Sequence, residues 1–313
     1  MLHLRVVCPP EHTTAVVDLL KATPGATHLI VLPGVAVAPE GDVVEVDVAR
    51  EAADDVIEKL CARDLDHLGA ITVEQIDTAL SDAADKAAED APGEAADAVV
   101  WEELLARTGE ESRLNGTFLG FMIIACLLAA VGVVTDSPVT IVGAMVVGPE
   151  FGPLAAVAVG LVRRRWDLVG RAATAIAIGF PLAMVVTAGG TLLGQWAGLL
   201  DVNAVRGGHN VDFVYDVGVF SLIVALLAGA AGMLSMTSAK SAALVGVFIS
   251  VTTIPAAGYA AVAAVLGEWQ RCLYSFGQLV VNLVGIVLAA GVVLLLRKRT
   301  WTNRDNGRPL STG

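Results

Sequence analysis

Within an apolar stretch the chain reads Gly148-Pro149-Glu150-Phe151-Gly152-Pro153. A carboxylate in the middle of a membrane span costs at least about 2.5–3.5 kcal/mol. Glu150 must therefore be protonated, paired or in contact with water. The chemistry open to it is to hold a proton or a cation, or to meet a polar solute. The glycines and prolines around it make a poor continuous helix, so the span is expected to break here and leave backbone groups to line a polar cavity. Gly148, Pro149, Glu150, Gly152 and Pro153 are thus candidate substrate- or ion-binding residues. Shifting the chain by 103 residues lays this break on Val251-Thr252-Thr253-Ile254-Pro255-Ala256, which adds Thr252, Thr253 and Pro255. Asn282 joins them as a polar group in a late apolar stretch. Gln195 and Gln278 are also polar there, and hydrogen bonding between helices is the simpler role for any of these alone.

Six apolar stretches carry these residues, near 117–134, 138–162, 172–197, 217–236, 242–266 and 279–296. Each suffices for a hydrocarbon core about 30 Å thick, which takes roughly 20 helical residues. The basic residues Arg107, Arg113, Arg163-Arg164-Arg165, Arg171, Lys240 and Arg297-Lys298-Arg299 all fall on one side of such spans. Only Arg206 and Arg271 fall on the other, so both termini are expected in the cytoplasm. Three spans on each side of the 103-residue shift would give an inverted 3+3 repeat, a pattern of secondary transporters that bind solute where broken helices meet. Pro181 and Pro255 are expected to kink the third and fifth spans.

The front of the chain is a different material. Residues before Arg113 include 24 acidic and 7 basic side chains, against 8 and 13 from there on. With 55% hydrophobic residues and a mean hydropathy of +0.70 overall, the apolar part dominates. Residues 1–78 read β-α-β-β-α-β: strands near Leu2–Val7, Thr27–Val37, Val44–Val48 and Gly69–Ile76, and helices near His12–Leu20 and Glu51–Leu60. That order predicts an α+β ferredoxin-like domain on the cytoplasmic side. Residues 79–112 form an acidic connector with an amphipathic helix over 94–107, residues 113–300 the transmembrane domain and 301–313 a cytoplasmic tail. Trp101 would sit at the membrane interface or on a partner subunit. No ligand-spaced histidine or cysteine group is present, so no metal is expected, and the four cysteines read as reduced thiols. The acidic surface argues against nucleic acid as a partner.

The segment from Gly116 to Arg171 resembles the prokaryotic membrane family called domain of unknown function 389. The resemblance rests on Val142-Gly143-Ala144-Met145-Val146-Val147-Gly148-Pro149, with Val245-Gly246-Val247-Phe248-Ile249-Ser250 and Pro255-Ala256 further on. It implies the architecture of a soluble part followed by membrane spans, and carries no activity with it.

Two function classes follow. One is a transporter or channel for a small solute, regulated by a cytoplasmic domain that binds a metabolite or nucleotide. The other is a membrane-anchored sensor or oligomeric scaffold without transport. Gly-x-Ser-x-Gly, His-Glu-x-x-His and paired-aspartate constellations are missing from the spans, so enzymatic activity is not expected. Homo-oligomerisation fits both classes, and the cofactor is left open.

Overall fold

The computed structural model describes residues 1–76, 78–91, 98–199, 218–238 and 253–305, with side chains described up to 297. These divide into two compact units, one essentially Met1–Leu104 and the other holding Leu105–Met236 and the residues from 253 onward.

The first unit is a four-stranded antiparallel sheet of order β2-β3-β1-β4, formed by β1 (Leu2–Cys8), β2 (Ala26–Val37), β3 (Glu40–Val48) and β4 (Ala70–Gln75). Alternation along β1 and β3 sends Leu2, Leu4, Val6, Val44, Val46 and Val48 into one core. The helices α1 (Pro10–Lys21) and α2 (Arg50–Cys61) cover it with Val16, Leu20, Val56, Ile57 and Leu60. A short α3 (Leu65–Leu68) precedes β4. Strand β2 lies at the sheet edge, and its register with β3 shifts between Leu32 and Ala36, across the Pro33-Gly34 pair. Its Ile30, Val31, Leu32, Val35 and Val37 are exposed.

Beyond the sheet come α4 (Asp82–Asp90) and α5 (Trp101–Glu111). Residues 98–103 are tied to α2. The Arg50 Nε donates to the Ala98 carbonyl at 3.3 Å, its guanidinium pairs with Glu103 at 3.0 Å, and the Trp101 amide donates to Asp54 at 2.9 Å. Trp101 is buried, and Val100 belongs to the sheet's own core. His3 and His28 each place Nδ1 2.7 Å from an oxygen of Asp47, and His28 Nε2 lies 2.9 Å from the Ser81 hydroxyl, so both have structural partners.

The second unit is helical: α6 (Gly116–Val134), α7 (Pro138–Val147), α8 (Phe151–Arg163), α9 (Trp166–Trp196), α10 (Val219–Thr237), α11 (Thr253–Val265) and α12 (Trp269–Asp305). Four of these are long and apolar enough to cross a membrane, and five spans result if α7 and α8, bent by 52°, count as one. Most of the first half of the expected stretch 242–266 lies outside the described residues, as does Thr252. Helix starts are capped by side chains: Asn115 accepts from the Phe118 amide at 2.8 Å and Ser137 from the Thr140 amide at 3.3 Å. Pro181 sits within α9, which runs on through it as one helix. Pro255 falls in the first turn of α11, where a missing amide donor costs little.

Small residues set the packing. A Cβ on Gly258 of α11 would lie 2.7 Å from Ala129 Cβ and 3.0 Å from the Cys126 carbonyl of α6. Both α8 and α11 pack against α9 and α12. Leu154, Ala225 and Ile286, from α8, α10 and α12, share one cluster. Their counterparts at the 103-residue shift, Ala257, Met122 and Ala183, share another.

In the first unit Asp42 accepts from the Thr13 hydroxyl at 2.6 Å and the Gly34 amide at 2.8 Å. These donors, Thr13 foremost, hold its carboxyl below the usual carboxylate range. A depressed folded pKa contributes stability that is full above the unfolded value of about 3.9 and is lost as pH falls through the folded one. Thermal unfolding of wild type and Asp42→Asn should therefore differ by a constant amount above about pH 5, with the gap closing on acidification below about 3.9. A gap that widens in acid would contradict this assignment.

Candidate functional site

The site is built on the interruption between α7 and α8. Gly148 ends α7 with an extended ψ of 128°, and Pro149 has no amide hydrogen to continue the ladder. Glu150 then takes helical angles (φ −71°, ψ −20°) as the residue before α8, and its carbonyl accepts from the Leu154 amide at 3.2 Å. Pro153 is tolerated because it lies in the first turn of α8.

Glu150 is fully buried, and its side chain does not cap its own helix. Its Oε1 instead accepts a hydrogen bond of 2.6 Å from the hydroxyl of Thr253, the first residue of α11, itself fully buried. Oε2 has no hydrogen-bond partner among the described residues. The starts of two helices therefore meet at one carboxylate, and helix N-termini carry the positive end of the backbone dipole, which favours negative charge. Room for Oε2 comes from Gly148: a Cβ there would lie 2.3 Å from that oxygen and 2.7 Å from Ile254 Cγ1.

A cavity of about 380 Å³ reaches the interruption and is lined in part by Phe121, Gly148, Pro149 and Gly152, with Arg107, Glu110, Glu111 and Arg113 around it. Arg107 pairs with Glu111 at 3.2 Å and Arg113 with Glu110 at 3.3 Å. A Cβ on Gly152 would lie 2.6 Å from that of Glu111, so the end of α5 rests directly on the start of α8. The carboxylate itself is buried, with one oxygen bonded to a neutral hydroxyl, and the charged vestibule comes up to the residues on either side of it, Pro149 and Gly152.

The structure joins Glu150, Gly148 and Thr253 directly, and puts Pro149 and Gly152 on the vestibule. Pro153 is buried within α8 and Pro255 within α11, where both shape the helix starts. Asn282 is fully buried on α12. It stands on one helical face with Gln278 and Ser275, both fully buried, and among the described residues neither the Ser275 hydroxyl nor the Gln278 amide has a hydrogen-bond partner. Ser275 was not among the sequence candidates, although positions 275, 278 and 282 have the three- and four-residue spacing of one face. Among the described residues one His/Asp group could hold a metal ion: Asp64, Asp66 and His67, all exposed, with ligand atoms within 4.8 Å of one another. His67 already pairs with both aspartates.

Comparison with known proteins converges on the same region. Residues 145–288, which contain Glu150, Thr253 and Asn282, match the family model described as Domain of unknown function (DUF389). That match covers a little under half of the chain. The DUF389 match begins at Met145, inside α7, and ends within α12, so it takes in the interruption and the helix start that meets it. An uncharacterised protein of Methanocaldococcus jannaschii is similar at 21% identity over 214 residues, covering 67% of this chain and 64% of that protein. The chain thus spans less than two thirds of the length of that relative. No solved structure matches.

Removing the Thr253 donor should leave a buried carboxylate oxygen unpaired, which costs about 1–3 kcal/mol or more for a charged group. Thr253→Val is expected to lower the unfolding temperature in detergent, whereas Thr253→Ser retains the hydroxyl and should unfold close to wild type. Equal behaviour of the two variants would show that the hydroxyl contributes nothing. Gly148→Ala should also destabilise, by about 1–3 kcal/mol of overpacking, and less so in a Glu150→Ala background, where the crowded oxygen is gone.

Proposed function

We propose that this DUF389 protein is a small-solute transporter or channel of the cell membrane, in which Glu150 binds a proton, a cation or the solute itself. The observation that carries this reading is the Glu150–Thr253 hydrogen bond, which brings together two helix starts 103 residues apart inside the apolar unit. An ionisable group kept at a helix interruption within a span marks a pathway in membrane proteins more often than a structural device.

The rest of the proposed architecture follows from that pair. Six spans arranged as an inverted 3+3 repeat would place residues related by the shift next to each other on the axis between the halves. In support, α6 and α10 are both 19 residues long and start 103 apart, α8 and α11 are both 13 residues long, and α9 and α12 both start on tryptophans 103 apart. The matched triads around Leu154 and Ala257 agree. The arginine distribution supports termini on the cytoplasmic side. The βαββαβ order and the sheet order β2-β3-β1-β4 support a ferredoxin-like fold for the first unit, which would bind a metabolite or nucleotide and regulate flux. Exposed apolar residues along edge strand β2 support homo-oligomerisation. We assign no enzymatic activity.

The test is flux in proteoliposomes holding a pH-sensitive dye, driven in turn by proton, Na⁺ and K⁺ gradients. Wild type should carry ion-dependent flux. Glu150→Gln should lose it at least tenfold, a change in transport rather than in folding, with the unfolding temperature as the control. Undiminished flux in Glu150→Gln would overturn the assigned role. If wild type conducts none of these and a nucleotide or metabolite raises its unfolding temperature, the sensor reading replaces transport.

A further inference from the structure

The largest cavity among those described lies away from Glu150, between α8 and α12. It measures about 820 Å³, within the range of sites that hold small organic ligands. Its two ends differ sharply in chemistry. One side is apolar, with Leu288, Val292 and Leu295 of α12 more than half exposed into it. The mouth is formed by the consecutive Arg163, Arg164 and Arg165. Arg164 ends α8 in the left-handed region (φ 57°), and the Arg165 amide returns to the Gly160 carbonyl at 2.8 Å, so the chain turns sharply where the three arginines join the lining of the groove. The nearby carboxylate of Asp167 meets Arg165 at 3.5 Å. An exposed Trp166 stands beside them, a residue favoured at the headgroup level of a bilayer.

A groove that is apolar along its length and cationic at its mouth matches an amphiphile with a long tail and an anionic head. We propose that it binds one anionic phospholipid, with the phosphate held by Arg164 and Arg165 and an acyl chain lying along Leu288, Val292 and Leu295. A water-soluble anion would use the arginines and leave the apolar wall unfilled. A zwitterionic lipid would fill the wall and leave net positive charge at the mouth. Basic pockets between spanning helices are a recurrent setting for anionic headgroups. Gly291 provides a direct probe, since it lines the groove and a Cβ there meets nothing within 4 Å. A larger side chain at that position would occupy the acyl slot with no clash at its first atom.

The experiment uses the full-length protein, delipidated in detergent and mixed with phosphatidylglycerol or phosphatidylcholine, with retained lipid counted by native mass spectrometry. Phosphatidylglycerol should be retained over phosphatidylcholine, and glycerol phosphate should not displace it. The double variant Arg164→Gln/Arg165→Gln should weaken retention roughly thirtyfold. Gly291→Leu should abolish retention with the unfolding temperature unchanged. Equal retention of the two lipids, or retention unaffected by both variants, would reduce the groove to ordinary lipid-facing surface and overturn the proposal. Displacement by glycerol phosphate would make it a soluble-anion site, and loss of a dimer with Gly291→Leu would make it an interface between copies; either result overturns it too. None of these readouts depends on flux, so failure here leaves the role of Glu150 standing.

Discussion

A peptide group in the hydrocarbon core of a bilayer has no water to turn to, and this governs how an apolar chain can interrupt a helix. Between α7 and α8 the interruption uses residues that lessen the penalty at source. Pro149 brings no amide hydrogen to be orphaned, and Pro153 removes another within the first turn of α8, where that donor would have had no helical acceptor. What is left is placed where protein surrounds it. Glu150 has zero exposure, and the start of α11 supplies the hydroxyl that its carboxylate needs. The 52° bend then redirects α8 to pack between α9 and α12.

The small residues serve that arrangement. Where α11 crosses α6, only a hydrogen atom fits at Gly258; where α10 meets α12, a Cβ on Gly229 would strike the Ile286 carbonyl at 2.5 Å. Lipid tails are as apolar as leucine, so association inside a bilayer relies on close van der Waals contact, and small side chains permit it. The first unit is held differently, by a water-driven apolar core of alternating valines and leucines. The buried Arg50 extends that unit by fastening the segment before α5.

Much of this was legible because the signals were local. A lone acid among prolines and glycines in an apolar run marks a break on composition alone, and alternation in Val44-Glu45-Val46-Asp47-Val48 marks a half-buried strand. The shift of 103 pointed to Thr253, but the contact itself needed the fold. Errors fell where one residue type has two uses. The helix expected near His12–Leu20 begins at Pro10, because proline suits a first helical position. The strand expected near Val44–Val48 begins earlier, at Glu40, because Val37 and Glu40 already pair across a tight hairpin. Trp101, expected at the membrane interface or on a partner subunit, is buried within its own chain, with its amide bonded to Asp54 of α2. The three arginines read as an orientation signal, and the groove they close exists only once α8 and α12 are side by side.

The meeting of unlike groups at the two helix starts also sets a stoichiometry. Two carboxylates 2.6 Å apart would be forced to share one proton, and two hydroxyls would hold no charge at all. One glutamate against one threonine gives the junction a single formal charge to gain or lose. Among the described residues of the apolar unit, Glu150 is the one acid whose side chain is wholly buried. A cycle of loading and release at this junction would therefore count in units of one elementary charge per chain, and a larger coupling ratio would require more chains acting together.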